Sequence, residues 1–351
     1  MDYIISGIQQ MGIGVRDTDE AWKWYRKFFR ADVPIFEERA EAALMLPYTG
    51  GEPRSRYAVL ALNLQGGGGF EIWQYTSRTP QPPAFDIQLG DLGFYACKIK
   101  SRNVQKTFEF YQSEGAKTFT APQSAPNGQQ NFFVQDPYGN VFQIVEGDDW
   151  FQTGKGTTGG VYGSIIGVSD IDKSLPFYQK LLGYDEVIYD KTDNFACFTG
   201  LPSGDHQFRR VLLRHSKPRV GAFSRLLGAS EIELVQVIGR TPEKMFKDRM
   251  WGDLGFIHLC LDIKGMDNLK AKAAEMGYPM TVDSGDFDMG DAAGRFMYNE
   301  DPDGTLIEYV EAYKIPVLKK LGLFINLKNR KPEKALPTLM LKALALNRKK
   351  D

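Results

Sequence analysis

The amino-acid sequence reads as an α+β chain of four tandem βαβββ modules, and three features carry that reading. The first is internal similarity at long range. FEIWQYTSRTPQPPAFDIQLGDLGF (70–94) aligns without a gap with IELVQVIGRTPEKMFKDRMWGDLGF (232–256), so that Glu71 meets Glu233 and Phe94 meets Phe256. The second is a repeated helix opening, Val15-Arg-Asp ahead of Trp24-Tyr25 and Val168-Ser-Asp ahead of Phe177-Tyr178. The third is an Asp-Pro-x-Gly turn at 136–139 and again at 301–304, each leading into a β-prone run.

Each module is expected to start on a short strand, GIQQMGIGV in the first and VYGSIIGV in the third. Asp17 and Asp170 suit helix N-caps, because a carboxylate there can accept from free backbone N–H groups. Leu175, Tyr178, Leu181 and Leu182 recur at helical spacing, and Gly183 stands where that helix should stop. Three β-like runs follow in each of these modules. They are ALMLPY, RYAVLALNL and FEIWQY in the first, and NFACFTG, RRVLLRH and IELVQV in the third. In Asp-Pro-x-Gly, Pro presets φ and Gly supplies a positive φ, so each turn introduces a last hairpin strand. The Gly/Thr-rich GKGTTGG at 154–160 joins two halves. The expected organisation is residues 1–150 with modules one and two, residues 151–312 with modules three and four, and a tail over 313–351.

At 351 residues, 42% hydrophobic and 25% charged, the chain can bury sizeable cores. Lys+Arg 43 against Asp+Glu 44 gives no basic excess, so nucleic acid is not an expected partner. Cys97, Cys197 and Cys260 form no C-x-x-C pair and read as buried thiols in a reducing compartment. The N-terminus shows no export signal, and no apolar run is long enough to span a bilayer. A cytoplasmic location is therefore expected.

Strand–helix–three-strand modules with this turn before the last strand resemble the vicinal oxygen chelate superfamily. That group includes glyoxalase I, extradiol dioxygenases, methylmalonyl-CoA epimerase and fosfomycin- or bleomycin-resistance proteins. The resemblance runs over roughly residues 5–312. It implies two glyoxalase/dioxygenase-like domains, each an incomplete mixed β-barrel cup with flanking helices. It also implies metal ligands on the first and last strands of paired modules.

Strand alternation then decides which side chains face a cup. Met11, Ile13 and Val15 form the apolar side of the first strand, leaving Gln10, Gly12 and Gly14 toward the cup. In module four Leu259, Leu261 and Ile263 pack under the helix, while His258, Cys260 and Asp262 face the cup. Glu71 and Glu308 hold the last-strand ligand position in modules one and four. Modules two and three offer Phe94 or Ala96, Gln143, Gly163 and Glu233. If neighbouring modules pair, the C-terminal cup holds Glu233, His258 and Glu308, and the N-terminal one Gln10, Glu71 and Gln143. If module one pairs with module four, one cup holds Gln10, Glu71, His258 and Glu308, which resembles the ligand set of glyoxalase I. The second pairing is slightly favoured by its ligand set, although the first is simpler in topology.

One imidazole, two carboxylates and an amide suit a single divalent ion such as Zn²⁺, Ni²⁺, Co²⁺, Mn²⁺ or Fe²⁺. The resemblance implies a metal-dependent lyase or isomerase of a small oxygenated substrate, with Glu308 as base and Glu71 sharing the proton shuttle. The alternatives are an extradiol-type ring-cleaving dioxygenase and a metal-free small-molecule binding or resistance protein. His206 and His215 read as surface residues. Arg56 and Arg209 are candidates to hold a substrate carboxylate, and KPRVGAFSRLLG (217–228) to cover a cup. The tail mixes Leu, Ile and Phe with many Lys and Arg. It suits an amphipathic element packed on the domains or a homodimer contact better than a membrane surface, because Pro332 and Pro337 interrupt the helical pattern.

Overall fold

A computed structural model describes residues 3–288, 293–318 and 322–350. Module one comprises β1 (Ile4–Gly14), α1 (Thr18–Phe29), β2 (Val33–Glu41), β3 (Ser55–Leu62) and β4 (Gly69–Tyr75). Module two comprises β5 (Gly93–Ser101), α2 (Val104–Ser113), the short β6 (Lys117–Thr118) and β7 (Gln123–Ser124), β8 (Gln130–Gln135) and β9 (Val141–Glu146). Module three has β10 (Thr158–Gly167), α3 (Ile171–Pro176), β11 (Glu186–Asp193), β12 (Phe208–Arg214), the single turn α4 (Ser224–Leu227) and β13 (Glu231–Val237). Module four has β14 (Gly255–Lys264), α5 (Met266–Glu275), β15 (Val282–Asp283), β16 (Phe287–Asp288), β17 (Ala293–Glu300) and β18 (Leu306–Leu318). The tail adds β19 (Leu323–Asn326) and α6 (Thr338–Ala343).

Asp17 and Asp170 cap their helices as expected, accepting from the backbone N–H groups of Glu20 and of Asp172 and Lys173. Gly183 has φ +71 just after the helical segment of module three. In both Asp-Pro-x-Gly turns the Asp accepts from backbone N–H groups two and four residues on. The same aspartates also tie modules together. Tyr25 in α1 donates to Asp136 of module two at 2.8 Å, and Tyr178 of module three donates to Asp301 of module four at 2.7 Å.

Two strands do not form where the apolar runs suggested. ALMLPY and NFACFTG turn into short 3₁₀ segments at Leu46–Tyr48 and Ala196–Phe198. The second strands are instead the charged VPIFEERAE and EVIYDKTD, which lie at the outer edges of their sheets. An edge strand is half solvated and carries charge, which hides its β signal. The apolar runs are needed elsewhere, since Met45 packs with Trp73, Trp251 and Tyr298, and Cys197 and Phe198 pack with Phe133 and Phe208.

The sheets settle which modules meet. One has the strand order β15-β17-β18-β14-β1-β4-β3-β2, with β16 beside β17 and β19 beside β18. The other runs β11-β12-β13-β10-β5-β9-β8-β6, with β7 beside β8. Module one therefore joins module four through antiparallel β1–β14, and module two joins module three through antiparallel β5–β10. The outer modules pair with one another and the inner modules with one another, so that module one shares no sheet with module two, nor module three with module four. Within each module the first and last strands run parallel.

A repeated ion pair is exchanged between the halves. Arg78 of the first Arg-Thr-Pro reaches Asp253 of the second Gly-Asp-Leu-Gly at 2.5 Å, and Arg240 reaches Asp91 at 2.6 Å. The helices and the convex sheet faces share one large core in which Met11, Ile13, Val15, Leu259, Leu261 and Ile263 are all buried. β18 continues past residue 312 to Leu318, and the tail folds back on the body. Ile325, Leu327, Leu336, Leu341 and Leu344 bury against Val33, Leu62, Leu64 and Leu226. Among the described residues no helix is long and apolar enough to cross a membrane.

Candidate metal centre

Four central strands of the first sheet place one polar side chain each at the same level of the concave face. Gly12 in β1 is the hub of the row, paired with Glu71 of β4 on one side and His258 of β14 on the other. Glu308 on β18 pairs with Cys260, and Gln10 pairs with Cys260 from the other side. A bulge between Gly12 and Ile13 sets this register. Strand alternation explains why the apolar neighbours Met11 and Leu259 point the opposite way, into the core.

His258 Nε2 lies 3.2 Å from Glu71 Oε2 and 3.1 Å from Glu308 Oε2. The Gln10 amide donates from Nε2 to the same two oxygens at 3.4 and 3.3 Å. One ligand atom from each of Glu71, His258 and Glu308 falls within 4.8 Å of the other two. All four residues are buried, His258 completely. The imidazole is held between rings, stacked on Trp251 at 6.1 Å and 12° and edge-on to Tyr298 at 5.6 Å.

The arrangement leaves buried polar atoms unmet, as a site awaiting a ligand would. Both ring nitrogens of His258 and Oε1 of Gln10 are buried without a hydrogen-bond partner, so the close His–Glu approaches are not made along an N–H bond. Burial pushes the His258 imidazole down, but Glu308 and Glu71 outweigh it and hold the pKa up at about 9. Burial likewise pushes Glu71 up, and the His258, Arg56 and Gln10 contacts bring it below its ordinary value. Rotating the Gln10 amide by half a turn would present Oε1 to the place where the carboxylates and the imidazole converge. The donor set of N, O, O and amide O fits a divalent ion. Burial, with Glu308 and Glu71 close by, holds the Cys260 thiol well above its ordinary pKa.

A sequence model of the Glyoxalase/Bleomycin resistance protein/Dioxygenase superfamily matches residues 7–144 and 162–309, most of the chain. The protein belongs to that superfamily. Its fold is similar to a glyoxalase I variant from Zea mays, at 14% identity over 87% of this chain and 92% of that one, with a TM-score of 0.53. It is equally similar to a putative dioxygenase from Bacillus subtilis, at 14% identity over 88% of this chain and 86% of that one, with a TM-score of 0.56. At such identities the likeness concerns the fold. No curated protein matches the chain.

This superfamily member has a second cup in which the same positions are filled differently. Gly163 stands where Gln10 does, Ala96 where His258 does, and Gln143 where Glu308 does. Glu233, the alternative ligand read from the sequence, belongs to this second sheet and does not reach His258, because module three pairs with module two. Its carboxylate is already saturated by Lys98 at 2.7 Å, by Arg210 and by the Tyr189 hydroxyl at 2.8 Å. Burial raises Glu233, yet Arg210 and Lys98 bring its pKa down to about 2. Lys98 stands at the repeat position of Cys260 and also pairs with Glu231 at 2.7 Å. In the second cup an internal ammonium meets the carboxylates.

The other candidates take structural places. His215 is half-buried rather than a surface residue, with Nε2 accepting from the Ser230 N–H and Nδ1 beside the Lys217 carbonyl. His206 is half-buried with Nδ1 against the Ser203 carbonyl. Arg209 pairs with Asp190 and Asp172, and Arg56 with Glu38. The 217–228 segment lies against β1 and the tail, where the Ala222 carbonyl accepts from the Leu336 N–H. Sequence reasoning placed Gly12 on the cup side but gave it no role, and it missed Trp251 and Tyr298. A Cβ on Gly12 would stand 2.3 Å from the imidazole Cε1, so the missing side chain makes the room that His258 occupies. The Gly-x-Gly alternation of GIGV was the available signal.

Proposed function

We propose that the chain is a metal-dependent lyase or isomerase of glyoxalase type, acting on a small substrate with oxygens on adjacent carbons. The observation that supports this most is the convergence of Gln10, Glu71, His258 and Glu308 from four strands on one buried point. These residues would hold one divalent ion, and the ion would supply Lewis acidity to the two substrate oxygens as negative charge develops on them.

Glu308 is the base in this reading. It takes a proton from the carbon next to a carbonyl and returns it to the neighbouring carbon. Glu71 approaches the same imidazole nitrogen as Glu308 and shares the proton between the two carbons. Trp251 and Tyr298 fix the ring plane of His258, and the burial of all four groups keeps bulk water from competing for the proton. A single imidazole in the set favours proton transfer over oxygen activation, for which the superfamily's ring-cleaving members resemble a two-histidine pattern.

The test is a turnover panel of α-hydroxy- and α-keto-carbonyl compounds, free and as thiol adducts, run with and without chelator. Chelator-sensitive turnover that falls by about 10²–10⁴ in Glu308→Gln is expected of a lost general base. Oxygen uptake on catechols, or stoichiometric ligand binding with no turnover and no metal, would replace this reading by the dioxygenase or the binding-protein one.

A further inference from the structure

The strongest unassigned feature lies at the far end of the same concave face. Asp262 is four residues beyond His258 on β14, about 13 Å along an extended strand. There a cavity opens between β1, β14 and the tail, lined among others by Ser6, Asp262, Lys264, Arg330, Lys331 and Lys334. Its water-accessible volume of about 30 Å³ holds roughly two waters or one small oxyanion.

The charge around it is one-sided. Residues 313–351 carry eleven Lys and Arg against two Asp and Glu, while the whole chain is at −1. Lys264 is matched by Glu311 at 2.9 Å. Among the described residues no carboxylate lies within ion-pair distance of Arg330, Lys331 or Lys334. The Arg330 side chain has one long contact, Nη2 to the Ala335 carbonyl at 3.5 Å, and its Nε is buried without an acceptor. With that one long contact, the Arg330 guanidinium has most of its N–H donors unmet by acceptors among the described residues, and an anion in the cavity could take those on its Nη atoms. The carboxyl in the lining, Asp262, is pushed up to about 7 by burial, so it is mostly uncharged in mildly acidic solution.

We propose that this cavity is a binding site for a small oxyanion, a phosphate or a carboxylate, held by Arg330, Lys331 and Lys334. Because those three residues belong to the tail while Ser6 and Asp262 belong to the first sheet, the anion pins the tail to the cup that carries the metal centre. Solvated lysines alone would need neither the concavity nor the unmet Arg330 donor.

The experiment is calorimetric titration of the full-length protein at pH 6.5 with phosphate and, separately, with malonate, at ionic strength held constant with chloride. Saturable one-site binding of at least one of them is expected, the tighter of the two giving the ligand class. Lys331→Ala/Lys334→Ala, both exposed positions, should raise the Kd at least tenfold with an unchanged circular dichroism spectrum. Lys342→Ala/Lys350→Ala removes the same charge elsewhere on the tail and should leave the Kd within about twofold. Absence of saturable binding in the parent protein would overturn the site. So would an unchanged Kd in the first variant, or an equal loss in the second.

Discussion

Gly12 and His258 face one another across β1 and β14, and the glycine has no Cβ where the imidazole needs the space. The corresponding pair in the second cup is Ile165 against Ala96, so the bulky partner there is on the other strand. Steric complementarity of this kind makes room for a ligand in one cup and fills the equivalent room in the other.

Gly12→Ala should therefore displace the imidazole. Overpacking typically costs about 1–3 kcal/mol, so the fold should survive while bound metal falls well below one equivalent per chain. Paired circular dichroism and elemental analysis would check it. A variant that keeps its full metal content would show that the ring does not depend on this space.

In the second cup, Lys98 is the cation that Glu231 and Glu233 require. Lys98→Met leaves buried carboxylates short of a partner. Denaturant unfolding should show a loss of about 3–5 kcal/mol, the usual penalty for breaking a buried ion pair from one side. Arg210 and Arg214 remain as partial compensation, so a loss near the lower end fits best. A change below about 1 kcal/mol would mean that Lys98 contributes no net stabilisation.

The two Tyr–Asp links give a pH signature. Burial raises Asp136 and Asp301 to about 6, although the hydrogen bonds from Tyr25 and Tyr178 pull the other way. A carboxyl with a raised folded pKa binds its proton more tightly in the native state, so its contribution to stability is complete below the unfolded pKa. That contribution is lost as pH rises through about 6. Asp136→Asn carries no such titration. The stability of the parent relative to this variant should decline by about 1–3 kcal/mol between pH 4 and pH 7, measured by urea unfolding at stepped pH. A flat difference would contradict the assigned burial.

Much of this architecture was legible in local chemistry. Asp17 and Asp170 read as caps, the Asp-Pro-x-Gly turns as hairpin entries, and strand alternation separated Gln10 and His258 from Met11 and Leu259. What failed did so where tertiary demands override local preference. The apolar ALMLPY and NFACFTG were drawn to cup interiors, and the charged β2 and β11 became edges because an edge tolerates solvent. The ligand positions favoured pairing module one with module four only slightly, and the repeated ion pair could not strengthen it, since Arg78 is chemically as suited to Asp91 as to Asp253. Trp251 reaches His258 from a loop and Tyr298 from β17, two places away in the sheet, and neither carries a linear signature of that contact.

The central claim is that His258 and three partners hold a divalent ion, and elemental analysis of parent and His258→Ala protein purified side by side tests it most directly. The account predicts close to one equivalent of a single transition metal in the parent and a small fraction of that in the variant, with both folded by circular dichroism. Equal metal content in the two proteins would contradict it.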